Sequence, residues 1–258
     1  IESVFLLLPL VTCLYYHEAD WKAFLITFGA TLGSGAAMSF GIHPRSSSMG
    51  KREGFLLTGL VWVFFSLFGM LPFMLASEAP LSVSDAFFES MSGFTTTGAT
   101  IMTSIAHLSH GAIVWRSLMQ WIGGMGIILF TLAVIPMLNH SGGMQMFNAE
   151  VTGITHDKLR PRISQTAKSL WLIYITLTVV LYVLLLVGPM GKFDALCYAF
   201  SIMSTGGFAT SDAGLNLWNS DYIEAVTTVF MFIGGVSFTL IYRAVHRDFR
   251  AVWNNDVF

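Results

Sequence analysis

Long apolar stretches recur along this chain at 23–42, 54–76, 111–137, 168–189 and 222–243, and a bilayer crossing takes about 20 mostly apolar residues. Lipid offers no partner to backbone N–H and C=O groups, so such stretches are restricted to helices that satisfy their own backbone. Charged residues make up 11% of the chain, where a soluble domain carries about 25%. An all-α membrane protein surrounded by membrane lipid is expected. A further apolar run, 3–16, is short of a full span. No basic region precedes it as in a signal peptide, and since the chain opens on Ile1 it reads as the remainder of a longer helix.

Ten of the thirteen Lys and Arg residues fall in short segments: Arg45, Lys51 and Arg52; Lys158, Arg160, Arg162 and Lys168; Arg243, Arg247 and Arg250. By the positive-inside rule the loops 45–52, 158–168 and 243–250 are expected in the cytoplasm, and 77–110 and 190–221 outside. A multi-pass protein of the inner (plasma) membrane follows. The net charge of −2 gives no basic field, so nucleic acid is not an expected partner. Cys13 and Cys197 sit in or beside apolar runs, where cysteine acts as a small hydrophobe, and no disulfide is indicated.

The chain also repeats itself. Asp85-Ala86-Phe87-Phe88 is echoed 109 residues later by Asp194-Ala195-Leu196-Cys197, and thirteen residues beyond each Asp stands a glycine, Gly98 and Gly207. These lie in Thr95-Thr96-Thr97-Gly98-Ala99-Thr100 and Ser204-Thr205-Gly206-Gly207-Phe208-Ala209-Thr210, and Trp121-Ile122-Gly123-Gly124-Met125 returns as Phe232-Ile233-Gly234-Gly235-Val236. The apolar segments 85–94 and 194–203 are too short to cross, and read as re-entrant half-helices. Ser84 or Asp85, and Asp194, are the expected N-caps.

A Thr/Gly loop at membrane depth is tolerated only where it lines a cavity or is buried in protein. A cation leaving water needs oxygen ligands, and rings of backbone carbonyls supply them. Glycine permits the positive φ that turns carbonyls toward an axis, and each half-helix would point its negative C-terminal end at the cavity. Gly123, Gly124, Gly126, Gly234 and Gly235 suit close helix packing, with helix bending as the alternative, and Gly33, Gly35, Ala36 and Ala37 read the same way. Glu89, inside the first half-helix, either draws cations into an outer vestibule or, in the plainer reading, pairs with Arg116 or stays in external water. Arg116 is otherwise expected to snorkel outward from its helix end, and Glu78, Asp212 and Asp221 to be solvated in the external mouth.

Helix, TTTGAT or STGGFAT loop, helix, with WIGGMG in the following helix, resembles the Trk/Ktr/HKT potassium transporter superfamily, and within it the N-terminal half of the bacterial Trk-type potassium uptake membrane subunits. The resemblance implies helix–pore loop–helix units around a pseudo-fourfold pore, two of the four units being present, preceded by an extra helix pair. The division is then 1–44 for the leading pair, 45–140 for the first unit, 141–166 for a cytoplasmic linker and 167–258 for the second unit. It implies K+ as the transported ion, with no organic cofactor, coordinated by filter backbone at Thr96, Thr97, Gly98, Thr205, Gly206 and Gly207, with Ala99 and Phe208 beside Glu89 at the vestibule. The Asp spacing pairs Gly98 with Gly207; aligning Thr97 with Thr205 pairs it with Gly206 instead. A homodimer with a cytosolic nucleotide-binding regulatory ring is the partner arrangement implied, docking at 148–168 and 243–250.

Two other classes were weighed: a secondary transporter whose broken helices bind a solute or Na+ at the midplane, and a non-conducting membrane scaffold subunit. The repeats run in the same direction, whereas such transporters usually need inverted ones, and a scaffold does not require Thr/Gly loops at depth. No enzyme is expected. His107 and His110 lack a companion acid motif, His17 and Glu18 are adjacent rather than in a metalloprotease pattern, and Ser92-Gly93 is not in a nucleophile elbow.

Overall fold

The computed structural model describes residues 2–41, 51–139, 159–236 and 238–245, and among them every regular element is helical. The helices are α1 (Glu2–Tyr15), α2 (Trp21–Gly41), α3 (Lys51–Gly69), α4 (Leu71–Met74), α5 (Val83–Phe94), α6 (His110–Asn139), α7 (Leu159–Val187), α8 (Lys192–Met203), α9 (Asp221–Gly235) and α10 (Phe238–Val245). Among the described residues α2 and 167–187 of α7 are both long and apolar enough to cross a membrane. Two of the expected spans are interrupted. The run 54–76 breaks at Met70, ahead of Pro72, and 222–243 breaks at Val236, whose backbone is extended.

Both short helices are present, and both end where the sequence put them. α5 and α8 are 12 residues each, about 18 Å long against a hydrocarbon core of about 30 Å. Their starts differ from expectation. The N-cap of α5 is Ser82, whose Oγ accepts from the Asp85 amide at 3.2 Å and donates to Asp85 Oδ2 at 2.8 Å. This reciprocal arrangement places the acid at the third helical position, as in a capping box, so neither Ser84 nor Asp85 is the cap. The N-cap of α8 is Gly191, with no side-chain cap bond; Asp194 sits three residues in and accepts from Thr210 Oγ1 at 2.6 Å.

α6 is the central element, packed on α1, α3, α5, α7 and α8. Every residue from Gly111 to Trp121 is buried, as expected of a helix enclosed on all sides. Trp115 Nε1 donates to the Gly69 carbonyl at the end of α3 (2.9 Å), Trp121 Nε1 to Thr178 Oγ1 of α7 (3.1 Å), and Tyr174 Oη to the Trp121 carbonyl (3.1 Å). Phe94 closes the end of α5 edge-on to both Phe65 and Trp115.

The segments expected outside gather at one end of the bundle. Glu18 accepts from the His110 and Gly111 amides at the start of α6 (2.7 and 3.2 Å), Asp20 from the Ser77 amide (2.8 Å), and Asp212 from Ser104 Oγ and the Ile105 amide (2.6 and 2.9 Å). Asp212, Glu78 and Asp221 are exposed, as expected, though Asp212 ties two loops together rather than standing alone in water. The loops 42–50, 140–158 and 246–258, with Arg45, Lys158, Arg247 and Arg250 of the basic clusters, lie outside the described residues.

Candidate functional site

The loops that follow α5 and α8 have the same backbone. Thr96 donates its amide to the Gly93 carbonyl (3.0 Å) and Thr97 to Ser92 (3.0 Å); Thr205 donates to Ile202 (3.0 Å) and Gly206 to Ser201 (2.9 Å), each pair offset by 109. This is the Schellman cap, which requires a left-handed residue just past the helix. Thr96 and Thr205 occupy that position at φ 56° and 54°. Glycine usually takes it, and a β-branched residue there is a true outlier, costing about 1–2 kcal/mol each. Two residues on, Gly98 and Gly207 have φ 73° and 87°. Of the two alignments open in the sequence, the backbone selects Gly98 with Gly207.

The loops touch. A β-carbon on Gly98 would overlap the carbonyl oxygen of Gly206. Thr205 and Gly207 border a hollow of about 360 Å³, lined also by Tyr198, Ser201 and Phe208. Behind the loops, the glycine pair of α6 lies between the two short helices. A β-carbon on Gly123 would overlap the Phe94 carbonyl, and one on Gly124 would lie 2.9 Å from Ser204 Cβ. Gly234 repeats the first contact, 3.1 Å from the Met203 carbonyl by the same construction. Close approach therefore accounts for Gly123, Gly124 and Gly234, and for Gly126 against Trp62, while Gly235 ends α9 at its break. No described residue lies within 4 Å of a β-carbon on Gly33 or Gly35.

Glu89 does not face a vestibule. Fully buried, it accepts from Arg116 Nε (2.8 Å) and Nη2 (2.7 Å), from Thr100 Oγ1 (3.0 Å) and from the Ile101 amide (3.2 Å). Arg116, 2% exposed, does not snorkel outward. A carboxylate inside the fold offers the guanidinium two bonds, and its other face stacks on the Phe208 ring at 4.1 Å. Phe208 is accordingly buried, while Ala99 is exposed.

The sequence reading missed Gln120, also fully buried on α6. Its Oε1 accepts from Ser201 Oγ (2.8 Å) and from the Phe208 amide (3.1 Å). The available signal was a lone amide side chain in an apolar run, which inside a membrane bundle bonds to a neighbouring element. Among the described residues no group of three His, Cys, Asp or Glu could hold a metal. Backbone oxygens and hydroxyls are what these loops present.

A polytopic helical membrane protein with twin half-helices ending in strained Thr/Gly loops is the class defined by these features. A family model described as TrkH, "Cation transport protein", matches residues 21–255. The chain belongs to that family. The Trk system potassium uptake protein TrkH of Halomonas elongata is 42% identical over 233 residues, 90% of this chain and 48% of that protein. The TrkH of Escherichia coli K12 is 37% identical over 255 residues, 98% of this chain and 53% of that protein. The crystal structure of the potassium transporter TrkH from Vibrio parahaemolyticus superposes with a TM-score of 0.82 at 37% identity, covering 94% of this chain and 48% of that one. The chain spans about half the length of the relatives it matches.

Proposed function

We propose that this chain forms half of a potassium uptake pore, with the backbone at Thr96–Gly98 and Thr205–Gly207 replacing water around the ion. The observation that carries the reading is the shared backbone of two touching loops: a left-handed Thr, one intervening residue and a positive-φ Gly, each at the C-terminus of a buried half-helix. Placing positive φ at alternate residues turns consecutive carbonyls toward a common side, which is the arrangement a dehydrated cation requires. Strain held in a packed setting is characteristic of functional backbone. The last carbonyls of each half-helix bring about half a negative charge to the same place.

In this reading 45–140 and 167–258 are two pore units behind a leading helix pair at 1–44, joined by the linker 141–166. Two loops cannot encircle an ion, so in the whole transporter two further units complete the ring. The relatives' names support potassium as the ion. The basic loops then face the cytoplasm across the inner membrane, where a nucleotide-binding ring would meet a homodimer. The membrane potential drives the ion inward with about 2.3 kcal/mol per charge per 100 mV.

The test is Gly98→Ser in the full-length transporter, expressed in a potassium-limited strain. Loss of potassium uptake, or of its preference over sodium, at normal protein level is the expected result. An unchanged rate together with an unchanged preference would overturn the assignment.

A further inference from the structure

The two loops share their backbone but not their supports. In the first, Ser92 Oγ donates directly to the Ala99 carbonyl at 2.5 Å. The corresponding residues in the second, at the same offset of 109, are Ser201 and Phe208, and Gln120 stands between them. One amide oxygen takes both the Ser201 hydroxyl and the Phe208 N–H. Gln120 belongs to α6, the helix that follows the first loop, so the second loop is braced from the other repeat.

Sequence differences within the loops follow from this. Thr97, whose hydroxyl lies 2.8 Å from Thr95 Oγ1, is matched by Gly206. Gly206 has no positive φ, so its own backbone does not demand glycine. A β-carbon there would instead overlap the Gln120 carboxamide, with Cδ, Oε1 and Nε2 all within 2.7 Å. Glycine at 206 therefore makes room for the Gln120 head. Among the described residues Gln120 Nε2 is buried with no hydrogen-bond partner, so what fixes the head is its acceptor oxygen. One turn earlier on α6, Arg116 stacks on Phe208 while bonding Glu89 and Thr100 behind the first loop.

We propose that Gln120 is a positioning residue for ion selectivity in the second loop: through Ser201 and the Phe208 amide it fixes the carbonyls of Thr205–Gly207, and Gly206 is glycine to admit it. This rests on the pore reading above. Gln120 touches no ion; it acts through the loop, and because α6 also holds Glu89 and Thr100 through Arg116, it sets the two loops relative to each other.

The experiment uses the full-length transporter in a potassium-limited strain, with membrane protein level, potassium uptake and potassium-over-sodium preference measured together. Gln120→Leu keeps the approximate volume and removes the acceptor. It is expected to lower the preference by roughly tenfold at normal protein level, the size of effect one or two lost buried hydrogen bonds produce. Gln120→Glu keeps the acceptor oxygen and retains most of the preference. Gly206→Ala alone loses uptake, and Gln120→Ala with Gly206→Ala, which vacates the space the methyl needs, regains a measurable part of it. A Gln120→Leu transporter with unchanged preference, or a Gly206→Ala defect that Gln120→Ala fails to relieve, overturns the proposal. Gly98→Ser run in parallel separates the two ideas. If it removes the preference while Gln120→Leu does not, only the positioning role fails; if Gly98→Ser is itself silent, the pore reading fails with it.

Discussion

Gly98 lies against the carbonyl of Gly206, close enough that a β-carbon at 98 has no room, while no described residue lies within 4 Å of the same construction on Gly207, its equivalent in the second loop. The two glycines share a positive φ but differ in what surrounds them. An alanine at Gly214, outside the loops at φ 58° and with no described neighbour within 4 Å, meets the left-handed penalty alone, about 1–2 kcal/mol. An alanine at 98 meets that penalty and also pushes the second loop's carbonyl away. Gly98→Ala is therefore expected to impair potassium uptake far more than Gly214→Ala in the same full-length background. Equal defects, or the reverse order, would show that the loops do not touch in the working protein.

The Glu89–Arg116 pair offers a second test, on stability. Both side chains are buried, and removing one partner of such a pair typically costs about 3–5 kcal/mol because the other charge is left uncompensated. Glu89→Gln should accordingly lower the thermal midpoint of the purified transporter strongly. The double variant Glu89→Gln with Arg116→Met removes both charges and should recover much of the loss. A double variant no more stable than the worse single one would mean that packing, including the Phe208 stack, outweighs the ion pair.

How much of this was legible in the sequence divides along a physical line. Periodicity, length and the 109-residue offset located α5, α8 and both loops, because these are local properties, and the ends at Phe94 and Met203 follow from the Thr/Gly clusters. The starts were displaced by two residues. Ser82 and Ser84 are both competent caps, and only the backbone decides which one accepts from Asp85. For Arg116 the sequence left two readings, a pair with Glu89 or an outward snorkel, and the structure shows the pair. Where a long cation points depends on a carboxylate 27 residues away on another helix, so local pattern could name the pair but not choose it. Gln120 escaped for the same reason, since its partners lie 81 and 88 residues further on.

The two short helices are capped unequally, and this too is testable. Ser82→Ala removes the side-chain acceptor for the Asp85 amide and should cost about 1 kcal/mol. In α8, Gly191 leaves that acceptor absent, and a β-carbon there meets only Asp194 Oδ2 at an ordinary 3.5 Å. Gly191→Ser should thus stabilise by about a few tenths of a kcal/mol. Thermal unfolding of the two variants beside the parent should move in opposite directions.

At the outer end, Asp212 joins the segments that follow the two loops. The Ser104 hydroxyl, and then the Ile105 amide, hold its carboxyl below the ordinary carboxylate range. A group whose pKa is depressed by folding adds stability that is fully present above its unfolded value, near 3.9, and loses it as pH falls through the lower folded value. The tie between 104–105 and 212 should therefore hold at neutral pH and loosen only below about pH 4. Hydrogen exchange at the Ile105 amide reads this directly. In the parent, protection should fall only in the acid range, whereas Asp212→Ala should lose it at neutral pH, with exchange in α6 unchanged. Protection at Ile105 that survives Asp212→Ala would mean that packing of the loop, not this carboxylate, holds the outer segments together.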